Sequence, residues 1–263
     1  MAAEPSPSSV EEVVARYYDL EHAGLTADIA LYAELARRAR GPVLELGCGT
    51  GRIVAPLARA GATVVGVDSS AAMVARARAR LAAQAVQPER ARVVHADART
   101  LRLAERFALV LAPLDFLAYF PAPADQRAVL ATVRHHLLPT GQFVVDVSFP
   151  PTSLLDQPQG VLVHQWTHHE ADGSVVTKSW VRELDLAAQV QHLRAFYDVV
   201  RPDGRLYRWV HELPWRYYYR YELELLLASA GFAVEGVYGD YALGELRPDS
   251  PRLLAIARPG GEL

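Results

Sequence analysis

Residues 43–52 read Val-Leu-Glu-Leu-Gly-Cys-Gly-Thr-Gly-Arg, and Val64-Val65-Gly66-Val67-Asp68 follows shortly after. No other feature constrains the fold as tightly. The first segment reads as a buried strand that breaks into a bare glycine turn and opens a helix. The second reads as the next parallel strand, ending on a carboxylate. In open α/β sheets a crevice of this kind, outside the carboxyl ends of the strands, is where nucleosides bind.

The glycine spacing narrows the ligand. A dinucleotide fingerprint is G-x-G-x-x-G, with its third glycine five positions after the first. Here Gly47, Gly49 and Gly51 form G-x-G-x-G, and Arg52 stands where that third glycine belongs. The register is wrong for a pyrophosphate on the helix N-terminus. Glu45, just before the turn, repels phosphate and suits a ligand that carries an ammonium. Asp68 can accept hydrogen bonds from ribose hydroxyls, and ionised acceptors make the stronger bonds. An adenosine with an amino-acid tail meets these demands better than NAD or ATP, so a nicotinamide oxidoreductase is disfavoured.

These residues resemble motif I of the class I S-adenosylmethionine-dependent methyltransferases: an acidic residue at Glu45, then Gly47, Gly49 and Gly51, with Cys48 and Thr50 between them. Asp68 matches the family's ribose-binding acid. Ser69-Ser70-Ala71-Ala72-Met73 continues the likeness, and Met73 corresponds to the methionine that lies on the adenine. In Val93-Val94-His95-Ala96-Asp97-Ala98, Asp97 corresponds to the aspartate facing the adenine amino group. Leu109 to Phe120 resembles the fourth strand and the loop beneath the reactive methyl, which brings in Pro113 and Leu114. Tyr18-Asp19-Leu20-Glu21-His22-Ala23-Gly24 resembles the Tyr-Asp-x-x-His-x-Gly segment of amino-sugar N-methyltransferases, in which the tyrosine borders the cofactor. The resemblance implies S-adenosyl-L-methionine as cofactor and S-adenosyl-L-homocysteine as product.

Strands alternating with helices predict a mostly parallel α/β sheet with helices on both faces, and the resemblance implies the family's Rossmann-like form of seven strands. Residues 1–9 are Pro/Ser-rich and expected to fray. Residues 1–40 form an N-terminal helical segment over the site, and 41–150 form the cofactor-binding core. Pro139-Thr140-Gly141 is expected to stop the chain before the fifth strand. At Pro150-Pro151 the character changes to β-branched and aromatic runs, with Asp172-Gly173 and Asp203-Gly204 as hairpin signals. Residues 151–221 therefore read as an inserted antiparallel sheet, which the resemblance implies is an acceptor lid, and 222–263 as the return to the core.

A chain of 263 residues, 51% of them hydrophobic, can build one sizeable core with a subdomain. Its net charge of −3 gives no global basic field for nucleic acid or an anionic membrane. No apolar run approaches the roughly 18–20 residues of a membrane span. The N-terminus has no basic n-region and no apolar h-region, which leads us to expect a cytoplasmic protein. The single cysteine, Cys48, excludes an internal disulfide and a multi-cysteine zinc site. His164 and His168 share one strand face but stand about 13 Å apart, so we expect no metal.

Methyl transfer from a sulfonium needs alignment and exclusion of water rather than a protein nucleophile. A base is required only where the acceptor is protonated or weakly acidic. The candidates beside the methyl are Tyr18, Asp115 and Tyr119. Several amino-sugar enzymes carry a histidine where this chain has Tyr119; His192 and His211 are alternative bases from the insertion. The aromatics between Phe196 and Tyr221 either line an acceptor pocket or pack the insertion on the core. The expected activity is N- or O-methylation of a small molecule by a monomer or homodimer. The rivals are a methyltransferase acting on RNA or protein, and a non-catalytic S-adenosylmethionine-binding protein.

Overall fold

The computed structural model describes residues 8–150, 154 and 158–260. The expected fraying of 1–9 therefore falls, for residues 1–7, outside the described residues, as does Pro151 at the expected boundary.

Helices α1 (Val10–Glu21) and α2 (Ala27–Ala39) precede an alternating series: β1 (Val43–Leu46), α3 (Val54–Arg59), β2 (Val64–Asp68), α4 (Ala71–Ala83), β3 (Ala91–His95), β4 (Phe107–Ala112), α5 (Pro123–His136) and β5 (Leu137–Ser148). Four strands follow, β6 (Val163–His169), β7 (Val175–Asp185), β8 (Val190–Val200) and β9 (Leu206–Arg216). Helix α6 (Arg220–Ser229), β10 (Phe232–Tyr238) and β11 (Arg252–Pro259) return the chain to the core.

The main sheet has the order β10-β11-β5-β4-β1-β2-β3. All neighbours are parallel except β11, which runs antiparallel to both β5 and β10. Strand order reverses at β1, which pairs with β2 on one side and β4 on the other, so the crevice opens there. Strand β1 shows why its residues were chosen. Leu44 and Leu46 face α5 and α6, and Val43 faces α2, α3 and α4, each fully buried. Both faces of the sheet are covered by apolar side chains, as a parallel sheet requires.

The helix that the glycine turn opens begins at Val54, because Gly51, with φ of +75°, cannot join a right-handed helix. One local expectation is corrected. Pro139-Thr140-Gly141 does not stop the chain before β5. The strand already starts at Leu137, and its register jumps from Phe107↔Leu137 to Leu109↔Gln142, so the Pro-Thr-Gly stretch is accommodated as a bulge.

Strands β6 to β9 form a separate antiparallel sheet in chain order. Gly173 and Gly204 carry positive φ at the two Asp-Gly turns. One face of this sheet is apolar at every second residue: Ala195, Tyr197 and Val199 of β8, with Val176 of β7, pack on Val13 and Tyr17 of α1. Polar contacts fix the same face. Lys178 Nζ pairs with Glu21 at 2.6 Å, the Tyr197 hydroxyl donates to Glu21 at 3.1 Å, and the Tyr17 hydroxyl donates to Glu170 at 2.8 Å. Among the described residues, no helix is long and apolar enough to cross a membrane.

Candidate active site

The glycine turn is shaped by what presses on it. A Cβ on Gly47 would lie 2.3 Å from the Phe116 ring, and the Tyr18 ring lies over Gly49. Asp68 ties three elements together: its carboxylate accepts the Gly49 N–H at 2.9 Å and the Ser70 N–H at 2.8 Å, joining the end of β2 to the turn and to the start of α4. Ser70 then caps α4 by accepting from the Met73 N–H. The Cys48 amide donates to Val67 O at 3.0 Å, and its thiol packs beneath Gly66.

These elements enclose a cavity of about 400 Å³. Of the residues predicted from sequence, Tyr18, Glu45, Gly47, Cys48, Gly49, Asp68, Ser69, Met73, Asp97, Ala98, Pro113, Leu114 and Tyr119 line it. Thr50 and Gly51 do not. The Thr50 hydroxyl donates to Asp19 at 2.6 Å, which in turn pairs with Arg80, and Gly51 packs against Ala77 of α4. Both hold the turn rather than touch the cavity.

Asp115 is also outside the lining. Its carboxylate accepts from the amide and hydroxyl of Ser148 and from Arg252 Nη1 at 3.0 Å. Arg252 Nε reaches Asp146 Oδ1 at 2.7 Å, and Asp146 Oδ2 accepts from Tyr32, Tyr241 and the Leu114 amide. This buried network holds Leu114 and Asp115 in left-handed backbone, φ +47° and +64°, and so fixes the loop at Pro113-Leu114 under the cavity.

The cavity is asymmetric in charge. Glu45 is 2% exposed and its Oε2 has no hydrogen-bond partner. Burial pushes its carboxyl well above the usual range, against the partly offsetting Arg52 and with help from Asp68 and Asp28. Arg52 pairs with fully buried Asp28 and donates to Leu25 O at 2.9 Å, while its Nε has no partner. A buried carboxylate with one unbonded oxygen, beside a guanidinium with a spare N–H, matches the ammonium and carboxylate of an amino-acid group. That is the fit S-adenosylmethionine requires. At the other end of the crevice Arg99 chelates Asp97 at 2.6 Å, also reaches Asp125, and holds the Asp97 carboxyl below its usual range.

The far wall comes from α1 and β9. Glu11 and Val14 of α1, Tyr119 of the short 3-10 turn Phe116–Tyr119, and His211 of β9 line it. The Tyr119 ring packs on Trp215 of β9 with centroids 5.1 Å apart, and the Tyr18 ring stacks on His22 at 4.1 Å. Tyr119 is 47% exposed as a residue, yet desolvation of its phenol first, then neighbouring hydroxyl and carboxylate groups, hold it above its ordinary value; burial does the same for Tyr18. Both stay protonated near neutrality and act as hydrogen-bonding groups, not bases. Sequence reasoning used Arg52 only to exclude a dinucleotide and left Glu11 and Val14 out. The signal for Arg52 was its position directly after the last motif glycine; for the α1 residues, the helical spacing from Glu11 and Val14 to Tyr18.

Known proteins resemble this chain in sequence and in fold. A family model described as a methyltransferase domain matches residues 43–141. The chain is 29% identical over 235 residues, 86% of each chain, to a dTDP-3-amino-3,6-dideoxy-alpha-D-glucopyranose N,N-dimethyltransferase of Streptomyces fradiae. Its structure is similar to that of the CcbJ methyltransferase of Streptomyces caelestis, with TM-score 0.76 and 26% identity, covering 97% of this chain and 100% of that one. It has the same fold as the sugar N-methyltransferase KedS8 of Streptoalloteichus sp ATCC 53650, with TM-score 0.74 and 21% identity, covering 99% and 98%.

Proposed function

We propose that this chain, a class I S-adenosylmethionine-dependent methyltransferase, methylates the amino group of a small molecule of amino-sugar type. The observation that carries this reading is the two-ended cavity. One end carries the Glu45 carboxylate, whose Oε2 has no hydrogen-bond partner, and the other is walled by Glu11, Tyr119 and His211 beneath β9. The relative that acts on an amino sugar supports nitrogen over oxygen as the atom methylated.

Bound S-adenosylmethionine supplies a methyl already activated on a sulfonium. The protein's part is to hold and shield. Glu45 takes the ammonium and Arg52 Nε the carboxylate of the amino-acid group. Asp68 keeps acceptor capacity for ribose hydroxyls after its two backbone bonds, and Asp97 stands at the adenine end. Tyr18 covers the turn, while Phe116 floors it. The aromatic faces of Phe116 and Tyr119 favour a cation at the reacting centre. Residues 151–221 act as the acceptor lid, since His211 and Trp215 reach the site from β9. We place the reaction in the cytoplasm, on a monomer or homodimer, with no nucleic acid or membrane involved.

The test is incubation with S-adenosylmethionine and matched acceptors, read by mass spectrometry. The panel holds amino sugars, free and nucleotide-linked, their hydroxyl counterparts, bulk RNA and bulk protein. Amino sugars should gain one or two methyl groups and their hydroxyl counterparts none. Methylation confined to hydroxyl compounds or to macromolecules would overturn the proposal.

A further inference from the structure

We propose that His211, reaching down from β9, is the group that takes the proton from the acceptor's ammonium before methyl transfer. The assignment rests on the amine reading above. An alkyl ammonium has no lone pair, and at neutral pH most of a primary amine is in that form. One proton must therefore leave the nitrogen before it can attack carbon.

The cavity offers few groups that can receive it. Tyr18 and Tyr119 are phenols held protonated. Glu45 faces the amino-acid end. Asp68 is bound by two backbone amides, and Asp97 is chelated by Arg99. His211 is the one histidine in the lining. Three other histidines are committed: ring nitrogens of His22, His95 and His136 bond to the carbonyls of Tyr18, Ser69 and Thr132. The His211 ring makes no hydrogen bond to any described residue.

Its setting keeps it available as a base. In β9 the inward positions are Trp209, His211, Leu213 and Trp215, while Val210 and Glu212 face out. Directly across lies Ala195, whose small side chain leaves the imidazole room to turn towards the cavity. The charged groups facing it are Lys178 from β7 and Glu11 and Glu21 from α1; the hydroxyls of Tyr197 and Tyr119 are also near. Burial, then Lys178, disfavours the imidazolium, and the two glutamates only partly restore it, so the ring is neutral at neutral pH. In the step, the N–H proton passes to the imidazole and the freed pair forms the N–CH₃ bond. The C–S bond breaks with its electrons going to sulfur. The imidazolium then releases its proton to water at the mouth, where Glu11 is exposed.

The experiment compares the unaltered enzyme with His211→Gln and Lys178→Met, each first checked for an intact melting transition and S-adenosylhomocysteine affinity. His211→Gln should lower kcat at neutral pH by about 10²–10⁴-fold with KM for the acceptor little changed. The deficit should shrink as pH rises towards the amine's own pKa, and should nearly vanish with a weakly basic analogue that is unprotonated at neutral pH. The acidic limb of kcat/KM should move in His211→Gln from the imidazole's titration up to that of the amine itself. In Lys178→Met it should move to higher pH, because removing the cation and baring Glu21 stabilises the imidazolium. An unchanged rate and profile in His211→Gln overturns the assignment. So does an equal loss at every pH and with both acceptors, which is the mark of positioning alone. If the unaltered enzyme methylates no amine, the amine reading fails and this assignment with it.

Discussion

Glu45 is a carboxylate that the protein buries without a direct ion pair to any described residue, and that choice governs how the free enzyme behaves. Its raised pKa means the folded state binds a proton that the unfolded chain releases at ordinary carboxyl pH. The sign follows. Folded stability falls as pH rises from about 4.3, the usual glutamate value, through the raised one, and the penalty is fully present above it. A ligand ammonium needs the ionised form, so binding S-adenosylhomocysteine should release a proton and tighten as pH rises through the same window. Glu45→Gln should raise the melting temperature of the free protein, weaken S-adenosylhomocysteine by roughly 10–100-fold, and abolish proton release in calorimetry across buffers of different ionisation enthalpy. A melting temperature that falls, or proton release that persists, would show that Glu45 is not the ammonium's partner. Gly47→Ala tests the floor: with φ of +66° and Phe116 at 2.3 Å from the added carbon, we expect about 2–4 kcal/mol lost in denaturant unfolding.

At the scale of elements, sequence legibility tracked distance along the chain. The strand, turn and strand from Val43 to Asp68 could be read because their logic is local: apolar runs, glycine spacing and a terminal carboxylate. Asp115 could not. Its position in a loop beside the methyl suggested contact with acceptor or cofactor, yet its partner Arg252 is 137 residues away on β11. Pro139-Thr140-Gly141 read as a stop because a bulge looks like a turn until its partner strand is known. The Asp115–Arg252–Asp146 network predicts its own failure. Arg252→Met leaves two buried carboxylates without their cation, so about 3–5 kcal/mol of stability should be lost. Cofactor affinity should fall too, because the Leu114 amide hangs on Asp146. Unchanged urea unfolding would show that the network is not structural.

At the scale of the whole molecule, two sheets share one helix. Helix α1 packs Val13 and Tyr17 on β7 and β8 while turning Glu11, Val14 and Tyr18 into the cavity. Glu21, at its end, holds both Lys178 and Tyr197. Glu21→Gln should therefore raise amide exchange in α1 and β8 while leaving β1, β4 and β5 protected. Equal loss across both sheets would mean they unfold as one unit. The insertion's outline was legible from its β-branched runs, but its attachment was not, since no local pattern says which helix a sheet will rest on. The last strand has a further effect on timing. The glycine turn leaves the ribosome early, yet the Pro113-Leu114 loop at the cavity locks only when Arg252 arrives and β11 slots between β5 and β10. A growing chain thus carries the recognisable nucleoside motif long before it has a working floor. Methyl chemistry is withheld until synthesis has passed β11 and the sheet has closed around it.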